Sequence, residues 1–247
     1  MSSRVWRAYH PHPFEGAGTI VALDEAEAHH VVRVLRLRVG EPLALFDGRG
    51  QEWRGRIDRC GDDGVHVELN DERTDSVEPE LELHLFQGTC RPERMDWVVQ
   101  KATEVGAWSV TVVRFEQAEG PPATDRRLQR WRRIAIDAAK QCGRRQVPEI
   151  DDRDELPAAG AGEPPSLLLD TGSRAVSLGD LITEAPPSIR LAVGPESGFS
   201  PGEGGRFREA GWLPAGLGPR TLRTETAGLV AAAILLHRWA DLGRKTG

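Results

Sequence analysis

From residue 81 onward, short apolar runs alternate with stretches whose apolar residues recur every three or four positions. The runs at 81–87, 109–115, 166–169, 189–193 and 212–217 read as buried strands, and the stretches at 93–105, 125–142, 178–184 and 225–242 read as helices. In the 93–105 stretch, Met95, Val98, Val99, Ala102 and Val105 form the apolar stripe, leaving Lys101 and Glu104 off it. Alternation of this kind predicts an α/β domain over residues 80–247: a mainly parallel sheet with helices on both faces and right-handed crossovers.

Residues 1–72 carry a different pattern. Pro and Gly recur, and the runs at 42–46, 52–57 and 65–69 read as strands, with a hairpin signal at Asp47-Gly48-Arg49-Gly50. A small β-barrel with one helix over 24–36 is expected. The polar, acidic stretch 70–80 reads as the linker between the domains, and 157–165 as a flexible loop.

Composition narrows the class. An apolar content of 39% is ordinary for a globular chain, and the longest apolar run, 231–236, falls far short of the roughly 20 residues of a membrane span. The amino terminus lacks the apolar segment of a signal peptide, so a cytoplasmic protein is expected. Cys60, Cys90 and Cys142 are widely spaced and suit reduced thiols, and the histidines show no ligand spacing, so no metal is expected.

The net charge of −6 argues against a nucleic-acid partner, but the local balance does not. Between Arg126 and Arg145 eight basic residues face one carboxylate, Asp137, and Arg126, Arg130 and Arg133 share a helical face. The N-terminal segment similarly carries Arg33, Arg36, Arg38, Arg49, Arg54, Arg56 and Arg59, a second local basic surface. Such surfaces suit a phosphate backbone or a solvated helix face.

Two Gly/Pro turns stand out, Gly194-Pro195-Glu196-Ser197-Gly198 and Gly218-Pro219-Arg220, each at the end of a predicted strand. In an open α/β sheet the crevice beyond strand carboxyl ends binds ligands, and glycine lets backbone approach them. Thr224 is the expected N-cap of the last helix, with Glu225 at the positive end of its dipole. Residues 227–236 are apolar on nearly every face, which predicts burial on two sides, the second by another subunit.

The pair GPESGFS and LGPRTLRTETA resembles the signature of SPOUT-type RNA methyltransferases, most closely the RsmE family, which methylates N3 of a uridine in small-subunit (16S) ribosomal RNA. MDWVVQKATEVGA, RWRRIAIDAAKQCGRRQVPEI and HHVVRVLRLRVGEPLALFDGRG match it too. The resemblance implies a PUA-like RNA-binding barrel followed by a SPOUT domain with a carboxyl-terminal trefoil knot, acting as a homodimer on the small ribosomal subunit. It also implies S-adenosylmethionine as cofactor, held by Leu169, Asp170, Thr171, Gly172, Gly194, Pro195, Glu196, Gly198, Leu217, Gly218, Arg220, Leu222 and Thr224. Arg223 and Glu225 are the expected catalytic residues, one stabilising the deprotonated base and one accepting its proton. Arg7, Arg33, Arg36, Arg94, Lys101 and Arg144 are the expected RNA contacts, with Trp6 beside Arg7 as a stacking candidate.

Ser197 stands where the family carries a second glycine, and a left-handed backbone there would be strained. FEQAEG, at 115–120, lacks the family's Ser-Glu-Arg-Ser type of run. Two alternatives remain open on these residues: a SPOUT methyltransferase of another RNA nucleotide, and a non-catalytic ribosome- or RNA-binding protein of the same fold.

Overall fold

The computed structural model describes residues 5–75, 77–118, 120, 122–172, 175–181, 184–240 and 242. Two compact units emerge, Met1–Glu78 with Ala139–Val147, and Pro79–Ala138 with Pro148–Gly247.

In the first unit, β1 (Trp6–Tyr9), β2 (Ile20–Ala22), β3 (Pro42–Phe46), β4 (Glu52–Gly61) and β5 (Gly64–Glu72) form one sheet in the order β1-β3-β4-β5-β2. Ala8 and Val21 of the outer strands share a core with Leu43, Leu45, Ile57, Val67 and Leu69, so the sheet curls around a single interior as a small barrel does. Gly55 makes the curl possible, because a Cβ there would lie 2.4 Å from the Glu68 carbonyl oxygen. The helix expected at 24–36 is instead α1 (Glu25–His29), capped by the Asp24 carboxylate, running into a π-helical turn over His30–Val34. Arg36 ends this segment with φ 58°, the left-handed region.

The acidic stretch expected to be a linker is partly built into this unit. Strand β5 runs through Glu72, Arg145 binds Asp75 at 3.1 Å, and Arg144 binds Glu78 at 2.8 Å. Ser76 lies outside the described residues.

The second unit alternates as its pattern predicts. In chain order it runs β6 (Glu82–Gly88), α2 (Pro92–Val105), β7 (Ser109–Val113), α3 (Asp125–Cys142) and β8 (Glu149–Arg153). β9 (Ser166–Leu169), β10 (Val176–Ser177), α4 (Leu178–Leu181), β11 (Ser188–Val193), α5 (Pro201–Glu209), β12 (Leu213–Gly216) and α6 (Thr224–Trp239) follow. Every ladder is parallel, in the order β10-β12-β9-β11-β6-β7-β8. The helix expected to reach residue 184 ends at Leu181, with 182–183 outside the described residues; the last helix, expected to reach 242, ends at Trp239, with 241 outside them.

Strands β1, β2, β8 and β10 did not stand out in the sequence. β8, Glu-Ile-Asp-Asp-Arg, is an edge strand that buries only Ile150, so it lacks the apolar run of its neighbours.

Candidate functional site

The chain crosses the sheet from β6 through β7 to β8, then jumps past β6 to β9, and β11 later fills the place between β9 and β6. The ends of β9, β11 and β12 therefore open together where the strand order reverses, the position at which open α/β sheets bind ligands. They enclose a cavity of ≈ 600 Å³.

The turn after β9 supplies Leu169, Asp170 and Thr171; the turn after β11 supplies Gly194, Pro195, Glu196, Ser197, Gly198 and Phe199. From the segment between β12 and α6 come Leu217, Gly218, Arg220, Thr221, Leu222, Arg223 and Thr224, with Val193, Ala215, Ala227 and Arg94 completing the wall. All the expected cofactor residues except Gly172 line it. Gly172 instead donates its N–H to the Asp170 carboxylate at 2.9 Å, closing the turn just outside.

Glycine serves two purposes here. Gly198 (φ +79°) and Gly218 (φ +97°) take left-handed backbone that a side chain would strain, while Gly194 lies against the Phe199 ring. Gly88 abuts the same turn from behind, and a Cβ on it would fall 2.7 Å from the Pro195 nitrogen. Behind these loops Phe115, Phe199 and Phe207 pack edge to face at 5.0–5.8 Å, which fixes the turn to the core.

Ser197 is not strained, contrary to expectation. Arg36 is the non-glycine residue at positive φ among those described, and the left-handed position of the turn falls on Gly198. The Ser197 hydroxyl donates to the Gln117 carbonyl at 2.7 Å.

Thr224 also departs from expectation. The N-cap of α6 is Arg223, with no side-chain cap bond, and Thr224 is the first helical residue. Its buried hydroxyl donates to the Gly194 carbonyl at 2.6 Å and accepts from the Gln87 amide at 2.9 Å. The helix start is thereby pinned to the cavity turn and to β6. Gln87, fully buried at the end of an apolar strand, is the residue that the sequence reading missed; one amide group inside such a run is itself a sign of a buried partner.

Charges of both signs ring the mouth: Asp170 and Glu196 against Arg94, Arg220 and Arg223. Arg94, from the first turn of α2, forms an ion pair with Glu196, and its Nε lies 3.5 Å from Glu225 Oε1. Glu225 does not line the cavity; its Oε2 is buried without a hydrogen-bond partner. Cys90 sits beside these groups, and burial, with the Glu225 and Glu196 carboxylates adding, pushes its thiol up to about 12.

The expected RNA contacts divide. Arg33 and Arg36 are exposed, and Lys101 is half-buried and pairs with Glu104 at 2.8 Å. Arg7 and Arg144 are instead engaged within the first unit. Arg7 binds the buried Glu52 at 2.6 Å, donates to the Ala139 and Arg144 carbonyls, and stacks 4.4 Å over Phe46. Arg144 is buried against Glu78. The basic run of α3 is likewise partly spent, with Arg130 on Asp96 at 2.6 Å and Lys140 on Glu27 at 2.6 Å.

The RNA methyltransferase domain family matches residues 77–236, and the RNA methyltransferase PUA domain family matches residues 23–70. The ribosomal RNA small subunit methyltransferase E of Mycobacterium bovis is 31% identical over 244 residues, covering 90% of this chain and 89% of its own. The crystal structure of a ribosomal RNA small subunit methyltransferase E from Neisseria gonorrhoeae bound to S-adenosyl methionine is 33% identical, with a TM-score of 0.86 over 96% of this chain and 99% of that one. A Legionella pneumophila protein solved with bound cofactor SAM is 32% identical, with a TM-score of 0.88 over 97% and 100%.

Proposed function

The chain belongs to the ribosomal RNA small subunit methyltransferase E family, and from that premise we propose that it methylates N3 of a uridine in small-subunit ribosomal RNA, using S-adenosylmethionine. The observation that carries this reading is the cavity itself, walled by two Gly/Pro turns and edged by Arg223.

The residues fit the cofactor. The cavity volume lies in the range of small-ligand pockets, and the carboxylates of Asp170 and Glu196 suit a molecule carrying a sulfonium. When bound, S-adenosylmethionine supplies an electrophilic methyl carbon. The turns at 169–172, 194–198 and 217–222 would hold it, and holding nucleophile and methyl in line can remove roughly 7–11 kcal/mol of barrier.

Uridine N3 is a nucleophile only after losing its proton. Glu225 accepts that proton in this reading, because a buried carboxylate oxygen without a donor is satisfied by a substrate N–H. Arg223, exposed at the cavity edge, stabilises the resulting anion. The N3 edge is hidden inside a base pair, so the nucleotide must be unpaired or flipped. Arg33, Arg36 and Lys101 contact the RNA around it.

The reading extends to a homodimer, a carboxyl-terminal trefoil knot and a cytoplasmic location. Trp97 of α2 and Ile234 of α6, on two helices that pack together, are 41% and 40% exposed and support an apolar interface. The return of Thr224 to Gly194 after β12 supports the knotted path. Among the described residues no helix is long and apolar enough to cross a membrane.

Calorimetry and mass spectrometry test the proposal together. Wild type and Arg223→Ala should bind S-adenosylmethionine with affinities within about threefold, because the turns contact it through backbone. N3-methyluridine formation on small ribosomal subunits should fall about 10²- to 10⁴-fold in the variant. Absence of cofactor binding in the wild type sinks the reading. Light scattering should give twice the chain mass of 27.1 kDa.

A further inference from the structure

A substrate strand has to cross the mouth of the cavity, and the phosphates flanking the target nucleotide need a surface to lie on. Three helices begin there at one level. Arg94 and Glu225, in the first turns of α2 and α6, approach to 3.5 Å, and Asp96 of α2 binds Arg130 of α3 at 2.6 Å. The segment between β7 and α3 joins the same places, since Gly120 lies against the Cys90 backbone and Arg127 donates to the Pro122 carbonyl at 2.6 Å. The starts of α6, α2 and α3 therefore stand side by side in that order, at the spacing of about 8–10 Å that packed helices keep.

The arginines of these helices divide by place. Those between helices are occupied, Arg94 by Glu196 and Glu225, and Arg130 by Asp96. At the helix starts they are not. Arg223 is the N-cap of α6, Arg91 the N-cap of α2, and Arg126 the second residue of α3. All three are exposed, and among the described residues none of their side chains makes a hydrogen bond or ion pair. Glu93 and Asp125 are exposed carboxylates in the same turns, but with Arg220 close to Arg223 the cations prevail. At the end of β8 the row stops, where Arg153 stands among Asp151, Asp152, Asp154 and Glu155. In a chain of net charge −6, unpaired arginines that begin at the cavity mouth direct a polyanion to that one place.

We propose that the RNA strand flanking the target nucleotide runs from the cavity over the starts of α6, α2 and α3, with Arg91 and Arg126 as phosphate contacts. This rests on the reading that the cavity methylates a nucleotide of RNA. Guanidinium forks match phosphate oxygens, and such contacts set the position of a strand without reading its sequence. Arg94, expected among the RNA contacts, is instead an internal tie between the cofactor turn and the last helix.

Binding to small ribosomal subunits, followed against salt at constant Mg²⁺, reads phosphate contacts directly. Each contact to a single strand contributes about 0.7 to the slope of log affinity on log salt. Arg91→Gln and Arg126→Gln should each lower the slope by about that amount and weaken binding about 3- to 5-fold at about 0.15 M salt. The two residues share no partner, so the double variant should lose about 10- to 20-fold. Arg91→Lys and Arg126→Lys keep the charge and should keep the slope. S-adenosylmethionine affinity should stay as in the wild type, because neither residue lines the cavity. Arg133→Gln is the control. It removes an exposed, unpaired cation from the same face of α3, about 10 Å further along the helix, and should leave the slope as it is.

An unchanged slope in both glutamine variants would overturn the proposal and return Arg91 and Arg126 to solvated surface. An equal fall in Arg133→Gln would overturn it as well, because binding would then follow total charge. So would a loss of affinity that lysine does not restore, the sign of a structural role. None of these outcomes depends on methyl transfer. A wild-type chain that binds no S-adenosylmethionine would instead sink the underlying reading, a result separable from the salt slopes.

Discussion

Replacing Thr224 by Val tests how the cavity is held together. Val keeps the β-branched shape of Thr and puts a methyl group where the hydroxyl was. That hydroxyl is 6% exposed as part of its residue and makes two bonds, to the Gly194 carbonyl at 2.6 Å and from the Gln87 amide at 2.9 Å. Gln87 keeps a weaker bond to the Gly88 carbonyl at 3.2 Å, so most of the penalty falls on Gly194, left with an unpaired buried oxygen. One unsatisfied buried group costs about 1–3 kcal/mol and a lost bond about 0.5–1.5, giving about 1.5–4.5 kcal/mol together. For a chain of this length that is a Tm drop of about 3–18 °C. An ordinary helix N-cap would give about 1 kcal/mol, so the size of the effect separates the two roles. Thermal unfolding followed by circular dichroism reads it, and Thr224→Ser, which keeps the hydroxyl, should lose less than half as much. A loss of 1 kcal/mol or less in Thr224→Val would refute the reasoning.

Gly88→Ala would push a methyl group into the Pro195 nitrogen at 2.7 Å and the Gly194 carbonyl carbon at 2.8 Å, shifting the turn. Overpacking of about 1–3 kcal/mol should weaken S-adenosylmethionine binding about 5- to 150-fold by calorimetry, while Gly205→Ala, with nothing within 4 Å, leaves it unchanged. Arg7→Leu strips Glu52 of its closest partner in a pair whose side chains are 10% and 4% exposed, and should cost about 3 kcal/mol of stability. RNA affinity of the folded variant should equal that of the wild type; a selective loss of RNA binding would return Arg7 to the contact surface. Cys90, raised from 9.0 to about 12 by burial, should resist iodoacetamide at pH 8 while the exposed Cys60 and Cys142 react, as peptide mapping would reveal. Because the unfolded thiol ionises near pH 9 and the folded one does not, Cys90 also makes stability fall as pH rises from about 9 to 12.

What could be read from the sequence follows from how local the physics is. The two Gly/Pro turns were legible because left-handed backbone at Gly198 and Gly218 restricts residue type at the position itself. The parallel core was legible because strands such as β11, buried along most of their length, become apolar runs. β8 was not, since an edge strand that buries one residue leaves no pattern to find. The roles of Thr224 and Arg7 were hidden for another reason. A Thr before a helix has the same signature whether its hydroxyl caps the next turn or reaches Gly194, thirty residues earlier in the chain. An Arg in the sequence looks the same whether it faces solvent or a carboxylate 45 residues away. In both cases the partner is distant in sequence and fixed only by topology. The buried member of such a pair does leave a trace, however. Gln87 is an amide closing the run Leu-His-Leu-Phe, and Glu52 is a carboxylate opening a strand next to Trp53; each is nearly inaccessible and must be paired. Polar residues embedded in apolar runs therefore mark the ends of long-range bonds better than the exposed-looking Thr and Arg that satisfy them, and at this site they mark the bridge that ties the last helix to the cofactor turn.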